Sequence, residues 1–252
     1  MSTKPQLETA TERMANGRTV RNTILLRLPD NEFEAIQPHL RFTNLNLATM
    51  LQREQETIDS VYFMNRGIAS MLVETDDGRS VEVGVSGRED MIGLPLAAGL
   101  ESHPHNIIVQ VPGDGFQVDS TVMRRAICAL PELRRILVRQ LGIRSVQFAQ
   151  NAACNRLHNV RQRLARWLLV TLDRIDSNLI TTTHDFLSKM IGTDRPTVSV
   201  AVADLERDGI ISRSRGSIFV VNRALLEQQS CKCYAAFKQF NVELGLGPER
   251  PM

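Results

Sequence analysis

The thirty residues Gly192–Val221, GTDRPTVSVAVADLERDGIISRSRGSIFVV, set an amphipathic run between glycine breaks, and few folds accept that pattern. Gly192 closes a short preceding helix, HDFLSKMI, whose apolar side is Phe186, Leu187, Met190 and Ile191, because the chain must turn sharply there. Asp194 is placed to cap the next helix, and Pro196 falls in its first turn, where a missing amide hydrogen costs little. In that helix Val198, Ala201, Val202 and Leu205 follow the i, i+3, i+4, i+7 rule and are expected in the core. Arg195, Thr197, Ser199, Val200 and Ala203 are left on or near the open face. Gly209 ends the helix, and IISRSRGSIFVV reads as two strands around Arg215-Gly216.

Two short helices joined by a tight glycine turn, the second offering small, polar and cationic groups at its N-terminal end, form a helix-turn-helix whose second helix fits a DNA major groove. A basic hairpin directly behind it is a wing, able to set Arg213 and Arg215 near backbone phosphates. Charge is distributed in the same sense. The net charge is +2, but Arg156–Arg223 holds eleven Arg or Lys against seven Asp or Glu. A local excess of basic residues suits a polyanion, although an ordinary solvated surface explains it equally well on charge alone.

Upstream the periodicity is different. From about Thr57 to Asp119 the segments VYFM, IASMLVE, SVEVGV, NIIVQV and FQVD read as short half-buried strands of a sandwich or barrel. Asp76-Asp77-Gly78 and Pro112-Gly113-Asp114-Gly115 supply the expected hairpin turns. Before them, RNTILLRLPDNEFEAIQPHL reads as one or two short helices with Asp30 as an N-cap. After Asp119 a short helix, STVMRRAICAL, leads to a longer one that begins with Pro131 in its first turn and runs to about Asn155, a rod of about 37 Å. Leu137, Leu141, Phe148 and Ala152 fall near one face of it, interrupted by Arg144, Gln147 and Asn151, a pattern that permits pairing in a dimer or packing on the β unit. In VRQRLARWLLVTLDRI the stripe Leu164, Trp167, Leu168 and Leu172 is expected in the core, with Arg163 and Arg166 toward the other side.

The chain has 252 residues, 42% hydrophobic and 23% charged, which favours two folded domains over disorder. No apolar run approaches the 18 to 20 or so residues that cross a bilayer. The first twenty residues lack the apolar core of a signal peptide and read as a mobile tail on a cytoplasmic protein. Cys128, Cys154, Cys231 and Cys233 are too few and scattered for a disulfide framework, and the CKC spacing is seldom used for structural zinc, so no metal site is assigned. No Ser/His/Asp set, phosphate-cradling glycine loop or metal-ligand motif points to an enzyme.

CNRLHNVRQRLARWLL, HDFLSKMIGTDRPTVSVAVADLERDGII and SRGSIFVVNRALLE resemble the Crp/Fnr family of bacterial transcription regulators, and VYFMNRGIASMLVETDDGRSVEVGVSGREDMIGLP resembles its cyclic-nucleotide-binding-like β-roll. The resemblance implies an α+β chain. It comprises a tail (1–22), an antiparallel β-roll of the double-stranded β-helix or jelly-roll type (23–130), a dimerisation helix (131–155), a winged helix-turn-helix (156–235) and a C-terminal tail (236–252). It implies a cytoplasmic homodimer on a palindromic double-stranded DNA site, with RNA polymerase as a further partner. Arg195 takes the place of the guanine-reading arginine, followed by Thr197 and Val198, while Asp194 is kept as a cap and Pro196 and Val200 depart from the cyclic AMP receptor protein. The effector pocket falls at Gly93, Leu94, His105 and Asn106. There Leu94 replaces the ribose-binding glutamate and no arginine follows to balance a phosphate, so cyclic AMP binding is not expected. With no cysteine in the N-terminal tail, an iron–sulfur cluster is not expected, and no cofactor is assigned. His103 and His105 read as exposed loop residues. The competing reading is a ligand-binding module that acts through protein contacts, the helix-turn-helix being packing.

Overall fold

The computed structural model describes residues 13–175 and 177–243, with side chains to residue 239. A hairpin of β1 (Arg13–Ala15) and β2 (Arg18–Val20) leads into helices α1 (Thr23–Leu26) and α2 (Asp30–Ile36). This corrects the expected tail, of which only residues 1–12 lie outside the described part. Arg13 explains the difference. It is buried, donates to the carbonyls of Leu25 (2.8 Å) and Leu28 (2.6 Å), pairs with Asp30 at 2.8 Å, and lies over the Phe33 ring. Asp30 is therefore the first residue of α2 rather than its cap, which is Pro29.

Strands β3 (Arg41–Leu45), β4 (Met50–Gln52), β5 (Ser60–Glu74), β6 (Ser80–Ser86), β7 (Met91–Ile92) and β8 (Asn106–Asp119) form a six-stranded antiparallel sheet. Its order is β3-β8-β5-β6, with β4 paired to β8 and β7 to β5. Asp76-Asp77-Gly78 makes the β5–β6 turn, with Gly78 at φ +77°. Pro112–Gly115 does not form the expected turn but runs inside β8, opposite the irregular register of β5 around Met64–Ile68. The two glycines serve close approach instead: a Cβ on Gly113 would strike the Arg66 backbone, and one on Gly115 the backbone of Phe63. Segments expected as four strands are thus two long bent ones, which lets one sheet fold over its own apolar side chains.

Asp119 caps α3 (Ser120–Ala129) by accepting from the Thr121 and Val122 amides. Helix α4 (Pro131–Leu157) follows with Pro131 in its first turn and covers the sheet. Asn159 and Gln162 form a capping box at the start of α5 (Val160–Leu172). Then come β9 (Leu179–Thr181), α6 (His184–Ile191), α7 (Arg195–Arg207), β10 (Ile211–Ser214), β11 (Ser217–Val220), α8 (Arg223–Gln229) and α9 (Cys233–Glu243). Residues 236–243, expected within a tail, continue α9, while residues 244–252 lie outside the described part. The architecture is α+β, with an antiparallel β unit first and a helix-turn-helix unit last.

A core of Leu164, Trp167, Leu168, Leu187, Val198, Val202, Leu205 and Ile218 holds the C-terminal unit together. The apolar face of α5 lies inside it, but Arg163 and Arg166 are not on a free side. Both are buried, Arg163 donating to the Ile191 carbonyl (2.9 Å) and Arg166 to Asn151 Oδ1 (2.8 Å). A buried guanidinium requires such acceptors, and here they come from α6 and α4, which sequence periodicity does not see.

Candidate nucleic-acid interface

Helices α6 and α7 meet at Gly192, whose φ of +66° and ψ of +50° are the left-handed conformation that ends α6. Its Cα also approaches the sheet so closely that a Cβ would lie 2.7 Å from Val81 Cγ2. Asp194 caps α7 twice, accepting from the Thr197 amide and from Thr197 Oγ1, each at 2.8 Å. These bonds hold its carboxyl below the usual range. A capped helix N-terminus directs its remaining amides and its positive dipole end outward.

Val198, Ala201, Val202 and Leu205 are buried, and the opposite side of α7 is not uniformly free. Arg195, Pro196 and Val200 are exposed, whereas Thr197, Ser199 and Ala203 are half-buried. Thr197 is engaged in the cap, and Ser199 Oγ lies between the Arg195 carbonyl (2.9 Å) and His184 Nδ1 (2.8 Å). The guanidinium of Arg195 stands 3.4 Å from Asp185, both in solvent. Such a pair is worth little in water and leaves the arginine available to another acceptor. Val200 projects 62% exposed, so α7 offers an apolar group one turn after its cationic one.

The hairpin β10–β11 pairs Arg213 with Ile218 and Ser214 with Ser217, and β11 pairs in turn with β9. Arg215 and Gly216 form its exposed tip, with Gly216 at φ +78°. Arg213 is tied back to Glu206 of α7 at 2.6 Å, which braces the hairpin against the helix.

On the β unit, Gly93 takes φ +94° beside Val61, and Leu94 is buried in the same core. His105 sets its ring edge-on to Phe148 at 5.5 Å, and Asn106 Oδ1 accepts from the Glu54 amide at 3.0 Å. Leu94 and His105 thus pack into different core clusters. His103, expected in the open, is buried, its Nδ1 lying 3.0 Å from the His105 carbonyl; burial pushes its pKa down to about 4. Helix α4 also uses its faces differently from expectation. Leu137 is fully buried and Phe148 packs on the sheet core, so both serve the chain's own β unit; Leu141 is half-buried and Ala152 exposed. The polar interruptions face the sheet as well. Arg144 pairs with Asp90 and donates to the Val85 carbonyl (2.8 Å) and Ser86 Oγ (3.0 Å), Gln140 donates to Asp90 (2.6 Å), and Asn151 to the Val83 carbonyl (2.6 Å).

The cysteines also depart from expectation. Cys154 and His158, one turn apart at the end of α4, meet Cys231 and Cys233, and the four ligand atoms lie within 4.8 Å of one another. A sequence gap of 77 residues hides the convergence of Cys154 with Cys231. The only local signals are the i, i+4 spacing of Cys154 and His158 and the CKC pair itself.

Residues 162–229 match the model of the Crp-like helix-turn-helix domain. Over 181 residues the chain is 24% identical to the global nitrogen regulator of Synechococcus elongatus, covering 68% of this chain and 81% of that one. Its fold is similar to that of FixK2 from Bradyrhizobium japonicum (TM-score 0.66, 17% identity, 76% of this chain and 98% of that chain). It is also similar to a transcriptional regulator of the Crp/Fnr family from Eubacterium rectale (TM-score 0.65, 15% identity, 80% and 94%). The matched domain contains the whole Gly192 turn, the capped α7 and the hairpin, and the β unit and α4 precede it in the chain. Residues 162–229 are thus similar to a Crp-like helix-turn-helix domain, and the chain's fold is similar to those of solved Crp/Fnr-type regulators.

Proposed function

We propose that the protein acts as a homodimer that binds a palindromic DNA site, with one α7 entering each of two successive major grooves about 34 Å apart. The observation that carries this reading is the exposed N-terminal end of α7: a doubly capped turn presents Arg195 to solvent, and Arg215 at the hairpin tip is exposed as well. Arg195 is assigned to guanine O6 and N7, and exposed Val200 suits a thymine methyl group. Arg215 is assigned to backbone phosphate. Asp194 acts as the cap, and Pro196 starts the helix. Thr197, Ser199 and Ala203 shape the face rather than read bases, and Arg213 positions the wing through Glu206.

For pairing, the free face of α4 supplies a different seam from the sequence reading. Val138, Gly142, Ser145, Ala149 and Ala152 are all exposed and alternate at spacings of four and three, the pattern of two helices packing closely. A Cβ on Gly142 would meet nothing within 4 Å, so the surface there is open. We assign regulation to an effector or partner at the β unit. The buried, apolar corner at Gly93 and Leu94 gives no support to a cyclic phosphate there.

The experiment is an anisotropy titration of genomic fragments across a salt series. Specific binding that weakens steeply with salt supports the reading. Retained regulatory activity after joint substitution of Arg195, Arg213 and Arg215 favours the module that works through protein contacts.

A further inference from the structure

We infer that Cys154, His158, Cys231 and Cys233 form a mononuclear, four-coordinate site for a thiolate-preferring divalent metal ion of the zinc class. Cys154 Sγ stands 3.5 Å from Cys231 Sγ, and Cys233 Sγ is 3.7 Å from His158 Nδ1. Ligands bound tetrahedrally at the usual Zn–S length of about 2.3 Å and Zn–N length of about 2.0 Å lie about 3.6–3.8 Å apart. Both measured separations therefore match edges of one coordination tetrahedron, and no pair among the four ligand atoms exceeds 4.8 Å. All four groups converge on one point, which a simple thiol pair does not require.

The surroundings fit the same chemistry. The three cysteines are buried and His158 half-buried, with Phe237 packed against the sulfurs, so the site is closed as structural zinc sites are. Gln150 Nε2 donates to Cys233 Sγ at 2.9 Å, an outer contact that fixes the sulfur and stabilises its anionic form. Arg166, buried on α5, places a cationic group near Cys154. Three thiolates and one neutral imidazole leave a bound divalent ion with one net negative charge, which the buried Arg166 offsets. Soft sulfur donors of this kind select zinc over magnesium or calcium. On binding, the thiols release their protons to solvent.

The site has a distinctive place in the chain. Cys154 and His158 lie at the end of α4, just before residue 162, and Cys231 and Cys233 lie just after residue 229. The metal would therefore fasten the two ends of the matched DNA-binding domain to each other, holding α9 against the junction between α4 and α5.

The test is a Co2+ titration of the full-length, reduced protein after chelator treatment. One Co2+ per chain is expected, with sulfur-to-metal charge-transfer absorption and the intense visible bands of tetrahedral cobalt, displaced by Zn2+. Cys231→Ser and His158→Ala should change or abolish these bands, while Cys128→Ser, at an exposed position, should leave them intact. Because the wild-type spectrum reports sulfur ligation by itself, a variant that fails to fold does not remove the test. Absence of these bands from the reduced wild-type protein would overturn the site. So would their persistence in Cys231→Ser, or a Cys154–Cys231 disulfide forming in a protein that binds no metal when reduced. No DNA enters the measurement, so its outcome is independent of the DNA-binding reading.

Discussion

Arg144→Met should destabilise the chain by about 3 kcal/mol, the lower end of the cost of breaking a buried ion pair by removing one partner. Arg144 is 7% exposed and Asp90 2%. The guanidinium serves Asp90, the Val85 carbonyl, Ser86 Oγ and Gln147 Oε1, the last at 3.1 Å. Burial pulls its pKa down to about 10, still well above neutrality, so it remains charged. Methionine fills much of the volume but leaves the buried Asp90 carboxyl without its cation. The loss stays near the lower end because Gln140 and Ser86 continue to donate to that carboxylate. Joint substitution with Asp90→Asn removes the stranded carboxyl and should recover at least about 1 kcal/mol, since contacting residues are not additive. Urea unfolding followed by circular dichroism and by Trp167 fluorescence measures both changes. A loss below about 1 kcal/mol in Arg144→Met, with no recovery in the double variant, would show that α4 does not rest on the sheet through this pair.

Other consequences follow from single contacts. Asp194→Ala removes both cap bonds of α7 and should cost about 0.5–2 kcal/mol in urea unfolding, with Asp194→Asn largely rescued. Glu82 accepts from Ser70 Oγ, and burial pushes its pKa up to about 7 from an ordinary 4.5. Its folded pKa is raised, so the stabilisation is complete below about pH 4.5 and is lost as pH rises to about 7. That loss is worth up to about 3 kcal/mol, and Glu82→Gln should flatten the stability profile over this window. Gly142→Leu, pointing into open space on α4, should leave the fold intact while shifting sedimentation toward monomer if the exposed seam is the dimer contact.

Local chemistry made the helix-turn-helix legible. Gly192, Asp194, Pro196 and the i, i+3, i+4 apolar set each act within a few residues of themselves, and each occupies its expected position in α6 or α7. Where a residue's role depends on a distant partner, the sequence misleads. Gly113 and Gly115 look like turn residues, yet they are glycine because β5 passes too close for a side chain. Arg13, Arg163 and Arg166 look like solvated charges, yet carbonyls and an amide from other elements bury them. The α4 stripe illustrates the same limit. Leu137 and Phe148 announce a buried face, but periodicity does not say whether the chain's own sheet or a second copy covers it. The Cys/His cluster joins positions on either side of a complete domain, and no window of helical or strand length contains both halves.

The central claim concerns Arg195, and comparison of wild type with Arg195→Ala on one identified site tests it most directly. Every single-base variant of that site should be titrated by anisotropy at several salt concentrations. The account predicts that Arg195→Ala loses about 1–3 kcal/mol and becomes indifferent to the base at one symmetric position, while Arg215→Ala weakens all sequences alike and lowers the salt slope by about one. Unchanged base preference in Arg195→Ala, or wild-type binding that is insensitive to salt, would contradict it.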